Sequence, residues 1–337
     1  MIACRVRKFQ GDGGRPIGRL VRRIDDPFLG DFVAVLRTPS GSEVYVDIRK
    51  PGLPGNHAPG RKGAGAGVGA SSQGAHMSML ALAIEAARAA GALAMRYFDS
   101  DLQVDTKPDR TPVTQADREA EALIRQMIAA QYPDHRYLGE EMGGQAAAGN
   151  VWIIDPIDGT KNFIRGLPFF AVQLALHHDG VPVLGVSYAP VLDELLAAER
   201  GRGAACNGST IRVSRIDRLE EAFVSHGGLD VFDKQGRAAA LVELGRRVTS
   251  IRGHGDFYGY HLLARGKVDA MLEASIAPWD IAALRVIVTE AGGRFTDLDG
   301  ASPELLASSL ATNGLLHGEI TALLAALAST PGSPARP

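Results

Sequence analysis

The sequence predicts a layered α/β sandwich, and three observations lead to that fold class. Apolar residues recur at helical spacing from Leu80 onwards, as on the buried face of an amphipathic helix. A short apolar run at 151–154 has the length of a buried strand. Two longer apolar segments flank Asp179-Gly180, a dipeptide that favours the tight turn of a β-hairpin. Because consecutive hairpins do not fit a strict βαβ series, we expect helices and sheets stacked in layers.

The first 76 residues differ from the rest of the chain. Residues 51–76 are a low-complexity stretch of Gly, Ala and Pro, a composition that predicts disorder because it offers too little apolar surface for a core. Residues 32–48 alternate weakly around a Pro-Ser-Gly turn and could form a hairpin. Met77 and Met79 stand directly before the first strong helical pattern. Residues 1–76 are therefore predicted to be a disordered arm or an N-terminal extension created by a misplaced start.

The remaining chain is predicted to form two halves and a flexible tail at 328–337, which is rich in Pro, Gly and Ser. The first half spans residues 77–218, and its predicted elements are helices over 80–98 and 116–130 and strands at 151–154, 170–177, 181–188 and 193–198. The second half spans residues 219–327 and alternates helix and strand patterns, including a helix at 281–291 and a strand at 295–298. The helix at 281–291 is expected to end at Gly292-Gly293, as helices often do.

Charge and cysteine content exclude several classes of protein. The chain has 36 Lys and Arg against 38 Asp and Glu among 337 residues, a formal net charge of −2. Residues 1–76 hold 12 basic and 6 acidic residues, so the remainder holds 24 and 32, a net charge of −8, which disfavours charge-driven binding of nucleic acid. No run of 18 apolar residues predicts a membrane span. Cys4 and Cys206 lie in different segments, which favours a reducing, cytoplasmic location.

The hexapeptide DPIDGT, directly after the apolar run, carries the strongest chemical signal. A strand delivers Asp155 at its end, where Pro156 has no N–H to continue the ladder, and Asp158 can turn back toward the same point. Gly159 allows a ligand to approach the backbone, and Thr160 opens a helix or turn whose free N–H groups suit an anion. Two carboxylates that face such a turn need cations between them, although Asp, Pro and Gly also form ordinary turns.

Three further segments are ambiguous when each is taken alone. The tripeptide GEE at 139–141 follows a strand-like run, so its glutamates are either metal ligands or solvated surface. Asp280 begins a helix and suits either a metal site or a helix N-cap. Thr114 and Asp117 precede an apolar helix, with Lys107 upstream, and match a variant of the helix capping box.

Together these segments resemble the inositol monophosphatase superfamily, the lithium-sensitive Mg²⁺ phosphatases, over residues 80–325. Four matching motifs occur in the expected order along the chain: residues 107–117, GEE at 139–141, WIIDPIDGTKNF at 152–163, and a second long motif that runs from WDIAA at 279–283 to EAGG at 290–293. Two long motifs and two short ones in one order make a chance match improbable. The resemblance implies a sandwich of alternating αβαβα layers and a phosphate-monoester hydrolase.

The resemblance also implies a metal site. Glu140, Asp155 and the carbonyl of Ile157 should hold one Mg²⁺, and Asp155, Asp158 and Asp280 should hold a second. Glu140 should also help to hold a weaker third ion. Oxygen ligands alone favour Mg²⁺ or Mn²⁺ over zinc, and the chain has neither an HExxH nor a CxxC motif for a zinc site. A Walker-type phosphate loop is likewise missing from the sequence.

Catalytic and phosphate-binding roles follow from the same resemblance. Thr160, Asp117 and Glu140 are the candidate catalytic residues, and Thr160 paired with Asp117 should help to activate the attacking water. The backbone N–H groups of Gly159 and Thr160 should bind the phosphate.

The stretch RGHGDFYGY at 252–260 resembles the histidinol-phosphatase branch of the superfamily. Arg252, Asp256 and Glu273 are predicted to bind the substrate. Histidinol phosphate carries an ammonium group and an imidazole, and either carboxylate could pair with the ammonium. An aromatic side chain of the same stretch could stack on the ring, although these aromatic residues suit a hydrophobic core equally well.

Three functions therefore stay open. The leading one is histidinol-phosphatase, a step of histidine biosynthesis that releases L-histidinol and phosphate. The second is a phosphatase for inositol-1-phosphate or a broad range of sugar phosphates. The third is a regulatory protein that binds a partner through the basic arm at 1–76. A homodimer is expected, because the family is commonly dimeric, and no membrane or nucleic-acid partner is expected.

Overall fold

In the computed structural model, the chain separates into two compact units, Met1–His76 and Met77–Pro337. The structure describes four strands within residues 9–47, together with residues 77–100, 104–106, 112–145, 148–301 and 307–328. The division falls where the sequence separates the basic arm from the body.

The described part of the first unit is a four-stranded antiparallel sheet with neighbours in chain order. Its strands are β1 (Phe9–Gln10), β2 (Pro16–Asp25), β3 (Phe32–Arg37) and β4 (Glu43–Asp47). The hairpin predicted at 32–48 corresponds to β3 and β4, which pair with Val35 opposite Tyr45. The sequence pattern does not predict β1 and β2, because the apolar residues of 16–25 do not alternate strictly with polar ones. The low-complexity stretch at 51–76 lies outside the described residues.

The larger sheet of the second unit has eight strands in the order β14-β13-β12-β11-β10-β9-β7-β8. A separate small hairpin, β5 (Val104–Thr106) and β6 (Pro112–Thr114), precedes it in the chain. The eight strands are β7 (Arg136–Gly139), β8 (Gly143–Gly144), β9 (Asn150–Asp158), β10 (Ala171–His178), β11 (Val181–Ala189), β12 (Glu194–Glu199), β13 (Ala204–Cys206) and β14 (Ser209–Ile211). The predicted turn at Asp179-Gly180 joins β10 to β11 with φ angles of 50° and 78°, both left-handed, as a type I′ turn requires.

The second sheet has five strands in the order β16-β15-β17-β19-β18. These strands are β15 (Phe223–His226), β16 (Ser250–Gly253), β17 (Ala270–Glu273), β18 (Arg294–Thr296) and β19 (Ser309–Thr312). The helices are α1 (Met79–Ala94), α2 (Gln115–Gln131), α3 (Thr160–Ile164), α4 (Leu229–Lys234), α5 (Ala238–Arg247), α6 (Asp256–Ala264), α7 (Pro278–Glu290) and α8 (His317–Ala328), with a short 3₁₀ turn at Leu219–Glu221. Within the described residues, no helix is both long enough and apolar enough to cross a bilayer.

The two sheets and the helices stack in five layers. Helices α1 and α2 pack on one face of the eight-stranded sheet, and α7 packs on its other face beside α6. One buried cluster joins both sheets through α6 and α7, with Leu284 and Met271 among its members. A second cluster holds α5 and α8 against the five-stranded sheet through Leu244, Leu272 and Ile320. This αβαβα order confirms the predicted layered α/β fold.

Two helix starts carry residues that the sequence marks as candidates for the site. Helix α2 follows the N-cap Thr114, whose N–H donates to Asp117 Oδ2 at 2.8 Å, and this confirms the capping box. In α7 the N-cap is Ala277, and its N–H donates to Asp280 Oδ2 at 2.7 Å. Asp280 is therefore the third helical residue and not the N-cap, because Pro278, with its fixed φ, occupies the first position.

Strand β9 continues further than the sequence predicts. Pro156 was expected to end its ladder, but the strand runs on to Asp158. It pairs with β7 only as far as Ile154. Pro156 therefore lies beyond the β7 ladder, where its missing N–H costs no hydrogen bond. On the other side the register with β10 shifts between Ala171 and Gln173, which accommodates the irregular backbone. This shift places Asp155 and Asp158 at the same end of the sheet.

Glycine at position 185 sets the distance between β11 and α7. A Cβ atom there would lie 2.4 Å from the carbonyl oxygen of Ala283 and 2.9 Å from its Cα, and backbone atoms cannot move aside as a flexible side chain can. We expect Gly185→Ala to lower the free energy of unfolding by about 1–3 kcal/mol, measured by denaturant titration and calorimetry. Gly318→Ala is the matched control, because no atom lies within 4 Å of its Cβ position in α8. Equal stability of the two variants would contradict this account of the packing.

Candidate active site

One cavity, of about 730 Å³, collects most of the candidate residues. It opens where the end of the eight-stranded sheet meets the five-stranded sheet and the start of α7. The predicted residues on its wall are Glu140, Asp155, Ile157, Asp158, Gly159, Thr160, Asp256, Glu273 and Asp280. Side chains that are up to 140 positions apart in sequence, from Glu140 to Asp280, thus meet at one place.

Asp155 and Asp158 are the most deeply placed carboxylates of the cavity, at 2% and 7% exposed. The Oδ1 atom of Asp155 accepts the N–H of Ile157 at 3.0 Å. The Oδ2 atom of Asp158 accepts the side-chain amide of Gln173, on β10, at 2.9 Å. Each carboxylate therefore uses a backbone or neighbouring donor to fix its direction, and the structure holds both groups at the wall of the cavity.

The carboxylates repel one another strongly. Burial, and then the charges of Glu140, Asp158 and Asp280, raise the pKa of Asp155 well above its ordinary value, and a hydrogen bond with Glu140 raises it further. Burial also raises the pKa of Asp158 well above its ordinary value, with further contributions from Asp256, Asp280 and Glu140. Like charges at this density favour either protonation or the binding of cations.

The donor set suits a hard divalent cation. All the candidate ligands are oxygen atoms, from four carboxylates and the carbonyl of Ile157, and Mg²⁺, Mn²⁺ and Ca²⁺ prefer such ligands. In the described part of the chain, no three Asp, Glu, His or Cys side chains stand as a ready-made metal-binding group. Glu140, Asp155, Asp158 and Asp280 nevertheless line one cavity, and their charges raise the pKa values of Asp155 and Asp158, a repulsion that a bound cation would offset.

The turn after Asp158 has room for glycine alone at position 159. Gly159 has a φ angle of 91°, and a Cβ atom there would lie 2.7 Å from the carbonyl oxygen of Phe169. Left-handed backbone combined with this close approach excludes other residues without strain. Thr160 is the first residue of α3, and its hydroxyl donates to the Ile157 carbonyl at 3.1 Å. The turn thus brings Thr160 to the cavity beside the carboxylates.

Asp117, the proposed partner of Thr160, lies in a different environment. Asp117 is fully buried, and its Oδ2 atom accepts both the N–H and the hydroxyl of Thr114, at 2.8 Å and 2.6 Å. It is not among the residues that line the cavity, so its pairing with Thr160 stays a prediction. Lys107 lies outside the described residues.

The part of the cavity formed by α6 and β17 is also acidic. The backbone N–H of Asp256 donates to Glu273 Oε1 at 3.3 Å, and the side-chain amide of Asn162 donates to Asp256 Oδ2 at 2.9 Å. Burial, followed by the charge of Asp256, raises the pKa of Glu273 to about 8. Asp256 has a φ angle of 54°, which is uncommon for a residue with a side chain. These bonds join α3, α6 and β17 around one end of the cavity.

The structure separates the predicted substrate-binding residues, and their contact with substrate stays a prediction. Arg252 does not line the cavity; its side chain is exposed and donates to the Ile251 carbonyl at 2.9 Å, because β16 directs it away. Phe257 and Tyr260 are buried in the core between the sheets, whereas Tyr258 faces the cavity. Residues that sequence reasoning does not identify also line this end: Asn162, Phe169, Asp230 and His254. Of these, Asn162 lies in the motif at 152–163 and His254 in the stretch at 252–260, whereas Phe169 and Asp230 lie in neither.

A comparison with models of protein families matches residues 76–331 to the inositol monophosphatase family. This match spans most of the chain. The chain belongs to the inositol monophosphatase family. The resemblance drawn from the motifs is thereby confirmed, and the family match begins one residue before the second unit.

Individual members of the family are similar over almost their whole length. The histidinol-phosphatase of Mycobacterium tuberculosis is 45% identical over 248 residues, which are 72% of this chain and 95% of that protein. The histidinol-phosphatase of Streptomyces coelicolor is 39% identical over 259 residues, 74% of this chain and 97% of that protein. Among solved structures, the Thermotoga maritima IMPase matches with a TM-score of 0.68 and 36% identity, covering 73% of this chain and 96% of that chain.

Proposed function

We propose that this chain is a Mg²⁺-dependent histidinol-phosphatase, which converts L-histidinol phosphate and water to L-histidinol and phosphate. One observation carries the proposal: Glu140, Asp155, Asp158 and Asp280 converge beside the turn at Gly159 in one cavity. Phosphate-monoester hydrolysis is among the slowest uncatalysed reactions, so an enzyme for it needs strong electrostatic stabilisation of the transition state.

The carboxylates and the Ile157 carbonyl would hold the cations of this site. Bound Mg²⁺ would supply charge neutralisation of the phosphate oxygens and a lower pKa for the attacking water. The chain's own residues would position the attacking water and the phosphate. Thr160, with Asp117, would orient the water and receive or pass its proton, and the N–H groups of Gly159 and Thr160 would hold the phosphate oxygens.

The residues of α6 and β17 on the cavity wall support a cationic leaving group. Asp256 and Glu273 lie there, and the rings of Phe169 and Tyr258 stand 5.1 Å apart on its wall. L-histidinol carries an ammonium group and an imidazole, which suit carboxylates and aromatic faces respectively. An inositol leaving group is neutral and would gain less from this environment. The two histidinol-phosphatases named above agree with this choice.

The alternative is a phosphatase for inositol-1-phosphate or sugar phosphates. The similarity to the Thermotoga maritima IMPase, at 36% identity over nearly all of that chain, favours it. The two proposals share the same hydrolytic residues and differ only in the leaving group.

The deciding experiment is a turnover panel with the full chain. We expect phosphate release from histidinol phosphate to require Mg²⁺ and to exceed, in kcat/KM, release from inositol-1-phosphate and from fructose-1,6-bisphosphate. A higher kcat/KM for inositol-1-phosphate would favour the alternative. No Mg²⁺-dependent release from any of the three would overturn the hydrolase proposal itself.

We also propose that the enzyme is a cytoplasmic homodimer. Cys206 is a free cysteine, and Cys4 and Cys206 lie in different segments of the sequence, which supports a reducing compartment. Light scattering on the purified chain and fractionation of the native cell test the two statements separately.

A further inference from the structure

A buried carboxylate lies directly behind the loop that carries Glu140. Glu121, in the middle of α2, is fully buried, and a buried charge is costly unless it is paired and hydrogen-bonded. Its Oε2 atom accepts the N–H of Glu141 at 2.8 Å, and both its oxygens lie 3.3 Å from the N–H of Met142. The charge is thus satisfied by the backbone of the residues that follow Glu140.

Arg125, one turn later on α2, completes the arrangement. Its Nε donates to Glu121 Oε1 at 2.8 Å, and its Nη2 donates to the Gly143 carbonyl at 2.6 Å. The guanidinium also lies over the ring of Tyr137, 5.1 Å from the centroid. Glu121 therefore accepts the N–H groups of the loop at 141–143, and Arg125 donates to the last carbonyl oxygen of that loop.

The loop is built tightly around this pair. A Cβ atom on Gly139 would lie 2.0 Å from Glu121 Oε1, and one on Gly144 would lie 1.9 Å from the Tyr137 carbonyl oxygen. The strands on either side pair across the loop, with Gly139 opposite Gly143. The N–H of Glu140 donates to the Ile154 carbonyl at 3.1 Å. Glu140 is therefore fixed between β9 and the buried pair on α2.

We propose that Glu121 and Arg125 are positioning residues that hold Glu140 in place to bind a divalent cation. The inference rests on the metal site proposed above. The pair touches neither the cavity nor the phosphate ester, so it acts through the loop alone. Holding the loop in advance lowers the entropy that binding must otherwise overcome, and the outer partners of metal ligands commonly set affinity in this way.

The test uses Glu121→Gln in the full chain, with Arg118→Gln as the matched control. Arg118 lies on the same helix and pairs with exposed Asp105 at 2.8 Å, away from the loop. We expect Glu121→Gln to raise the Mg²⁺ concentration for half-maximal turnover by about 10- to 100-fold. At saturating Mg²⁺, kcat and the KM for the phosphate ester should stay within about threefold of the wild type, since the reacting groups are unchanged.

Two measurements without substrate separate this inference from the proposed function. Mg²⁺ should raise the melting temperatures of the wild type and of Arg118→Gln. At the same Mg²⁺ concentration, the melting temperature of Glu121→Gln should rise much less. Hydrogen exchange at the amides of Glu141 and Met142 should become faster in Glu121→Gln alone. A wild type whose melting does not respond to Mg²⁺ would count against the metal site, not against the loop contact.

The inference fails if folded Glu121→Gln shows wild-type Mg²⁺ dependence and wild-type exchange. Should Glu121→Gln not fold, Arg125→Lys takes its place, because lysine keeps the charge but cannot bond Glu121 and the Gly143 carbonyl in the same planar geometry. We expect Arg125→Lys also to raise the Mg²⁺ concentration for half-maximal turnover, but by a smaller factor than Glu121→Gln. Loss of folding in both variants would also overturn the proposal, since a positioning role requires a folded chain with weakened metal binding.

Discussion

Replacing Asp155 with asparagine is expected to abolish turnover while the chain stays folded. Asp155 is the carboxylate that the first two cations of the proposed site share, and the charges of Glu140, Asp158 and Asp280 act on it. Loss of one such electrostatic contribution lowers kcat by about 10³-fold or more. The measurement is phosphate release from histidinol phosphate at saturating Mg²⁺. A kcat near that of the wild type would refute the metal site.

The same variant should be more stable than the wild type when Mg²⁺ is removed with EDTA. Burial and like charges raise the pKa of Asp155 in the folded state above its unfolded value of 3.8, so the folded state binds more protons. Its ionisation therefore costs stability as the pH rises above that value. Asparagine removes this cost at neutral pH, and the melting temperature should rise. Asp233→Asn, at an exposed position on α4, is the control and should leave melting and turnover unchanged.

The second large effect is expected at Thr160. The Thr160→Val variant keeps the shape of the side chain but loses the hydroxyl that faces the cavity and donates to the Ile157 carbonyl. If this hydroxyl orients the attacking water, kcat should fall by about 10²- to 10⁴-fold. Thr160→Ser keeps the hydroxyl and should retain turnover within about tenfold of the wild type, as the same general-base contribution remains.

Steady-state kinetics at saturating Mg²⁺ and substrate separate this role from metal binding. The Mg²⁺ concentration for half-maximal turnover should be similar in Thr160→Ser and the wild type. A Thr160→Val enzyme within threefold of the wild type, or a Thr160→Ser enzyme as slow as Thr160→Val, would show that the hydroxyl does not take part in the reaction.

Local sequence patterns predicted much of this fold. The capping box at Thr114 and Asp117 and the hairpin turn at Asp179-Gly180 both appear as expected, because each depends on residues only a few positions apart. The continuation of β9 past Pro156 was not predictable. It depends on β7 pairing only as far as Ile154, which is a long-range relation that no local pattern contains.

The residues of the candidate site are likewise predictable from the sequence in part. The motifs placed Asp155, Asp158 and Asp280 at one cavity, because a shared family pattern encodes contacts between distant segments. The sequence alone does not show whether Arg252 reaches the cavity, because the direction of its side chain depends on the position of β16. Glu121 was missed for a related reason: a single acidic residue between Ala120 and Ile124 looks like a helix surface position until the loop at 141–143 is seen to cover it.

The cavity takes its hydrolytic carboxylates mainly from β9 and its leaving-group contacts mainly from α6 and β17. Strands β9 and β17 belong to different sheets, and Asp280 at the start of α7 lines the same cavity as both. A substitution near Tyr258 can therefore change which alcohol fits the cavity while the carboxylates of β9 stay in place. The same proposed metal ligands can then serve phosphate esters of different alcohols.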